Sequence, residues 1–148
     1  MRIRRARPDE APALAALAVR SKGHWPYPPD LLARFARGLG MSAEVVAANE
    51  VWLGERDGRV GGFYTLVHRA DRTVLDDLWL EPAEIGRGCG RVLFTHARRR
   101  AADAGTGVLE WEAEPYAVGF YERMGGVTVR WTASPLGRPL PVMRMTLP

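Results

Sequence analysis

The chain has 148 residues, 47% of them hydrophobic and 26% charged, a length and balance that suit one soluble, folded domain with its own core. No stretch approaches the roughly 18 to 20 apolar residues that cross a bilayer, which argues against a membrane protein. The net charge of +4 is spread among interleaved acids, apart from Arg2, Arg4, Arg5, Arg7 and the run Arg98-Arg99-Arg100, so the clustered basic footprint of a nucleic-acid binder is missing.

Lys22 is the sole lysine among 21 basic residues, and Cys89 is the sole cysteine. One cysteine excludes an intramolecular disulfide and a multi-cysteine metal site, and no histidine pair has metal-ligand spacing, so no metal is expected. The basic N-terminus is not followed by a long apolar run before Pro8-Asp9-Glu10, which argues against a secretory leader. These features point to the cytoplasm.

In chain order, Arg2 to Ala6 reads as a first strand, and Pro8-Asp9-Glu10 as a helix start with proline and acids in the first turn. Leu14, Leu17 and Ala18 share one face of that helix. The prolines of Gly23-His24-Trp25-Pro26-Tyr27-Pro28-Pro29 force an ordered loop. Asp30 to Leu39 reads as a second helix, and Ser42 to Ala48 as a third piece of undecided type. Val51 to Glu55 and Val60 to His68 flank Arg56-Asp57-Gly58-Arg59, a hairpin signal. Thr73 to Leu80 forms a fourth strand after the turn at Asp71-Arg72. Arg91 to Ala104 reads as a helix, Val108 to Ala113 as a strand, Pro115 to Met124 as a helix, and two strands close the chain. The sum is an α/β chain with a mixed sheet and helices on its faces.

Between the fourth strand and the next helix lies Ile85-Gly86-Arg87-Gly88-Cys89-Gly90. Unblocked N–H groups at a positive helix terminus suit a pyrophosphate. A P-loop needs Gly-Lys-Ser/Thr at its end, and a dinucleotide fingerprint needs a third glycine where Leu93 stands, so neither pattern is met. A turn that merely lets strand and helix approach closely is the structural alternative.

The loop resembles that of the GNAT superfamily of acetyl-CoA-dependent N-acetyltransferases, which runs Arg/Gln-x-x-Gly-x-Gly/Ala; here Ile85 replaces the first residue. Downstream, Glu112-Ala113-Glu114-Pro115-Tyr116-Ala117 and Phe120-Tyr121-Glu122 are similar to the superfamily's Asp-Pro-Asn-Ala-x-x-Phe-Tyr-Glu, with Glu114 and Tyr116 departing. The resemblance covers nearly the whole chain. It implies a GNAT-like, mostly antiparallel sheet of about seven strands flanked by about four helices.

It also implies acetyl-CoA as acetyl donor. Its pyrophosphate is expected on the main-chain N–H groups of Gly86, Arg87, Gly88, Cys89, Gly90 and Arg91 beside Ile85, and its arm along Leu78, Trp79 and Leu80, with Ala117 and Tyr121 nearby. Tyr121 is implied as the general acid: a phenol of pKa about 10 protonates a thiolate whose conjugate thiol lies near 8.5 at a cost of only about 2 kcal/mol. For the base, Asp76 and Asp77 alternate across their strand, so one of them faces the cleft, with Asp77 the candidate. Glu112 on the next strand is the second candidate, acting through water. His24, Trp25 and Tyr27 border the implied acceptor site, and the acceptor is an amine, on a small molecule or a peptide. A homodimer through sheet edges or C-terminal strands is compatible with the resemblance. The departures at Ile85 and Tyr116 motivate a competing reading, a CoA-binding sensor or interaction module without catalysis.

Overall fold

Arginines and an apolar residue alternate in β1 (Arg2–Arg5), and Arg4 ties the strand to the next element by donating to Glu10 at 2.9 Å and to Glu55 at 2.8 Å. A computed structural model describing residues 1–148 then takes Pro8–Glu10 through one 3₁₀ turn into α1 (Ala11–Lys22), which buries Leu14, Leu17, Ala18 and Ser21. The loop is followed by α2 (Pro29–Gly38). The undecided piece is a helix, α3 (Ala43–Ala48), because the Ser42 hydroxyl accepts the Val45 N–H at 3.2 Å and satisfies one orphan donor.

Strands β2 (Glu50–Arg56) and β3 (Arg59–His68) are joined by Asp57 and Gly58, with φ of 53° and 74°, the left-handed pair that a tight hairpin requires. After β4 (Thr73–Leu80) come a 3₁₀ turn at Pro82–Glu84 and the long helix α4 (Cys89–Asp103). Then follow β5 (Val108–Glu112), α5 (Val118–Arg123), β6 (Val127–Thr132) and β7 (Leu140–Thr146). The expected helix over Pro115–Met124 is divided: Pro115–Ala117 forms a 3₁₀ turn capped by the Glu114 carboxylate before α5 begins. There are five α-helices rather than about four, the difference being the short α3.

The seven strands form one sheet in the order β1-β2-β3-β4-β5-β7-β6, antiparallel except where β4 meets β5. Here the chain carries its main irregularity. β5 pairs with β7 along its whole length, but with β4 only at Thr73↔Leu109 and Val74↔Glu110. Beyond Val74 the two strands part. On one side of the sheet Tyr64, Trp111 and Met143 are buried with Leu93 and Phe94 of α4; on the opposite side Leu53 and Phe63 pack with Leu14 and Leu17 of α1 and Val46 of α3. Gly62 allows α4 to seat closely, since a side-chain carbon there would stand 2.9 Å from Leu93 and 2.7 Å from Leu80. No helix is long and apolar enough to cross a membrane.

Candidate functional site

Where β4 and β5 part, two grooves on opposite sides of the sheet meet. One, of about 880 Å³, runs under α4 and α5; the other, of about 800 Å³, lies between α2, the strands and the segment before β7. They share Leu75, Asp76, Asp77, Trp79, Glu112 and Glu114, so the gap joins the two compartments.

The first groove contains the glycine turn. Gly86 and Gly88 have φ of 82° and 86°, a region that penalises any residue with a β-carbon, and a β-carbon on either would project into open space. None of the main-chain N–H groups of Gly86, Gly88, Cys89, Gly90 and Arg91 has a main-chain acceptor. Together with the positive terminus of the 15-residue α4 they form a cradle for an anion, and Arg91, Arg98 and Arg123 line the same groove. The residues present therefore fit the pyrophosphate of acetyl-CoA. Arg87 departs from expectation, because its N–H is already donated to the Glu84 carbonyl at 3.3 Å and its side chain does not line the groove. The Cys89 side chain also points elsewhere, fully buried against Met1, with its thiol pushed up to about 11 by burial.

Leu78, Trp79, Leu80, Ile85, Ala117 and Tyr121 all line this groove, as do Phe120 and Met124. Parting from β5 leaves one side of β4 unpaired, and the Ser21 hydroxyl of α1 accepts the Leu80 N–H at 3.3 Å there. Ser21, Thr95, Arg98 and Arg123 were not legible as site residues. They lie outside the motif positions themselves, and only the packing of α1, α4 and α5 brings them to the gap.

Tyr121 is 6% exposed, its ring packed on Phe94, Trp111 and Phe120, and its hydroxyl makes no hydrogen bond to protein. Burial, reinforced by the charge of Glu114, pushes the phenol up and keeps its proton on Oη. Across the gap, the expectation that only one of Asp76 and Asp77 faces the cleft is corrected. Thr65 pairs with Asp77 and Leu66 with Leu75, so Asp76 is the extra residue of a β-bulge, and the alternation breaks there. Both residues line both grooves. Asp77 accepts the Trp79 Nε1–H at 3.1 Å, and burial, with the neighbouring charge of Asp76, pushes it up to about 6. Glu112 is exposed at the same gap.

The residues expected to border the acceptor separate. Trp25 lines the first groove, stacked on Tyr116 with ring centroids 5.1 Å apart and planes 7° from parallel. His24 stands exposed against the edge of Trp25 and lines neither groove. Tyr27 lines neither groove; it donates its hydroxyl to Glu114, whose other oxygen holds Lys22 Nζ at 2.5 Å. Burial and that carboxylate push the Tyr27 phenol up. The ammonium also sits 4.3 Å from the Tyr27 ring centroid. Lys22, Tyr27 and Glu114 thus lock the proline-rich loop onto the segment before α5.

The first groove, which contains the glycine cradle and Tyr121, thus opens at the parted strands onto the second, with Asp76, Asp77 and Glu112 shared between them. The chain belongs to the acetyltransferase (GNAT) family, whose profile matches residues 13–126. It is similar to the peptidyl-lysine N-acetyltransferases YjaB of Salmonella typhimurium, 37% identical over 75 residues, and of Escherichia coli, 39% identical over 72 residues. The matches cover 50% and 48% of this chain and the same shares of those proteins, so the chain spans about half the length of the curated relatives it matches. Among solved structures, a GCN5-related N-acetyltransferase from Rhodopseudomonas palustris superposes with a TM-score of 0.86 at 21% identity, covering 99% of this chain and 95% of that one. The PaiA N-acetyltransferase of Thermoplasma acidophilum, solved with coenzyme A, gives 0.83 at 17% identity and 98% of both chains. At those identities the likeness is one of fold.

Proposed function

We propose that this chain transfers the acetyl group of acetyl-CoA to a primary amine by direct attack at the gap between β4 and β5. Acetyl-CoA supplies an activated acyl thioester whose leaving group is a thiolate. The N–H groups of Gly86, Gly88, Cys89, Gly90 and Arg91, with Arg91 and Arg98 beside them, hold its pyrophosphate. Leu78 and Leu80 line the path of its arm.

An alkylammonium, of pKa about 10, must lose a proton before it attacks. Asp77 Oδ is the base, raised toward neutrality by burial and therefore closer to the acceptor's own pKa than an ordinary carboxylate. Glu112, exposed at the same mouth, passes the proton to solvent. Tyr121 Oη, buried and protonated, delivers the proton that the departing thiolate needs.

The observation that carries this reading is that Asp77 and Tyr121 both line the groove that contains the glycine cradle. The peptidyl-lysine activity named for the two curated relatives makes a lysine ε-amine the first acceptor to try. The test is thiol release from acetyl-CoA with a lysine peptide, in wild type and Tyr121→Phe. Release that needs the peptide and falls about a hundredfold in the variant, with acetyl-CoA affinity retained, supports the reading. Binding without turnover on any amine supports a silent CoA-binding module instead.

A further inference from the structure

The second groove is electrically two-ended along the strand direction. At the end where β4 and β5 are still paired, Glu110 is almost fully buried beneath three guanidinium groups: Arg130 at 2.7 Å, Arg144 at 2.6 Å and Arg72 at 3.6 Å. Asp71 shares Arg72 from the exposed side, which still leaves a surplus of positive charge. The Arg72 Nε is buried and donates no hydrogen bond. Across the groove, Arg37 on α2 has no carboxylate partner, and Arg34 reaches only Asp30 at 3.9 Å. At the other end, where the strands part, Asp76, Asp77 and Glu112 form no ion pair within 4 Å, although Glu112 lies level with Arg130 across β7 and within reach of its positive charge; Asp76 and Asp77 therefore make up the acidic end. Val74 is the register partner of Glu110, so the carboxylate end begins two residues, or roughly 7 Å, further along β4.

Resting on the proposed acetyl transfer, we propose that the acceptor carries a carboxylate as well as the reacting amine: the amine enters the acidic end at the gap, and the carboxylate seats among Arg72, Arg130 and the α2 arginines. The extended side chain of a lysine separates its amine from its own carboxylate by roughly 7 Å, comparable with the two-residue rise from Val74 to Asp76 along β4. A bare amine fills only the acidic end and leaves the arginines solvated. An acceptor with both groups gains a charge-assisted contact at the far end, and that contact also fixes the direction from which the amine approaches the gap.

The experiment compares kcat/KM within two matched pairs. In the first, Nα-acetyl-lysine and Nα-acetyl-lysinamide share one ε-amine and differ only in the carboxylate. In the second, a lysine peptide flanked by glutamate is set against its glutamine counterpart. Wild type is expected to prefer the anionic member of at least one pair by about tenfold at low salt, and the preference is expected to shrink as ionic strength rises. Discrimination in the first pair identifies a free amino-acid-like acceptor; discrimination in the second alone identifies an acidic peptide. Arg72→Gln, which leaves Glu110 with two arginines, and Arg37→Gln, at an exposed and unpaired position, are each expected to bring the ratio close to one. Equal kcat/KM within both pairs, or a preference for the neutral members, overturns the proposal while leaving the acetyltransferase reading intact. Failure to acetylate any of the four amines, with acetyl-CoA still bound, overturns that reading and the proposal with it.

Discussion

Replacing Lys22 by methionine tests how the proline-rich loop is held against the segment before α5. The ammonium and the Glu114 carboxylate are 6% and 8% exposed and lie 2.5 Å apart, so removing the ammonium leaves a buried carboxylate with only the Tyr27 hydroxyl and a 3.4 Å contact from the Tyr116 N–H. Breaking a buried pair from one side costs about 3–5 kcal/mol. At roughly 2–4 °C per kcal/mol for a chain of this size, Lys22→Met should lower the thermal midpoint by about 10 °C. Methionine keeps most of the packing against Tyr27 and Phe35, so the loss belongs to the stranded charge. Lys22→Met/Glu114→Gln should therefore recover more than half of the stability, which circular dichroism melts of the four proteins in a double-mutant cycle would show. A Lys22→Met protein within about 0.5 kcal/mol of wild type, or a double variant less stable than the single one, would rule out Lys22 as a buried anchor.

Four further outcomes follow from the same structure. Tyr121→Phe should reduce kcat about a hundredfold and leave the melting temperature within about 2 °C, because the hydroxyl has no protein partner to lose; a large loss of stability would assign it a structural role. Gly88→Glu places bulk and negative charge in the anion cradle at a φ of 86°, and calorimetric titration should register no acetyl-CoA binding. Asp77 is raised in the folded chain, so its ionised form costs stability above pH about 6, and that cost is relieved as pH falls toward the unfolded carboxylate range. Asp77→Asn should accordingly melt higher than wild type at pH 7.5 and lose that advantage near pH 4, while the acid limb of the kcat/KM profile near pH 6 disappears. Glu10 has the opposite sign: the Arg4 guanidinium holds it down at about 2, so its stabilising contribution is complete above the unfolded carboxylate range and is lost as pH falls from there through about 2, and Glu10→Gln should be least stable relative to wild type near neutrality.

The order of strands and helices was legible because hairpin glycines, prolines and apolar periodicity act locally. The glycine turn was legible too, since its φ angles admit few other residues. What escaped depends on contacts distant in sequence. Lys22 reads as a surface lysine near the end of a helix, and only the pairing of residues 22 and 114 makes it a buried anchor. The facing of Asp76 and Asp77 was misread because a bulge cannot be found from one strand alone; it exists only in the register of β4 against β3. Cys89 and Arg87 belong to the motif by position, yet α4 turns the Cys89 side chain into the core, and the turn before α4 directs the Arg87 N–H back to the Glu84 carbonyl. Ser42, by contrast, carried a usable signal, a capping hydroxyl before an apolar stretch.

Acetyl transfer to an amine across the gap between β4 and β5 is tested most directly by mass spectrometry of a lysine-bearing acceptor incubated with acetyl-CoA and the wild-type, Tyr121→Phe and Gly88→Glu proteins. An acetyl increment on the amine is expected with wild type, a trace with Tyr121→Phe and none with Gly88→Glu. Equal acetylation by all three proteins, or none by a wild type that binds acetyl-CoA, would contradict it.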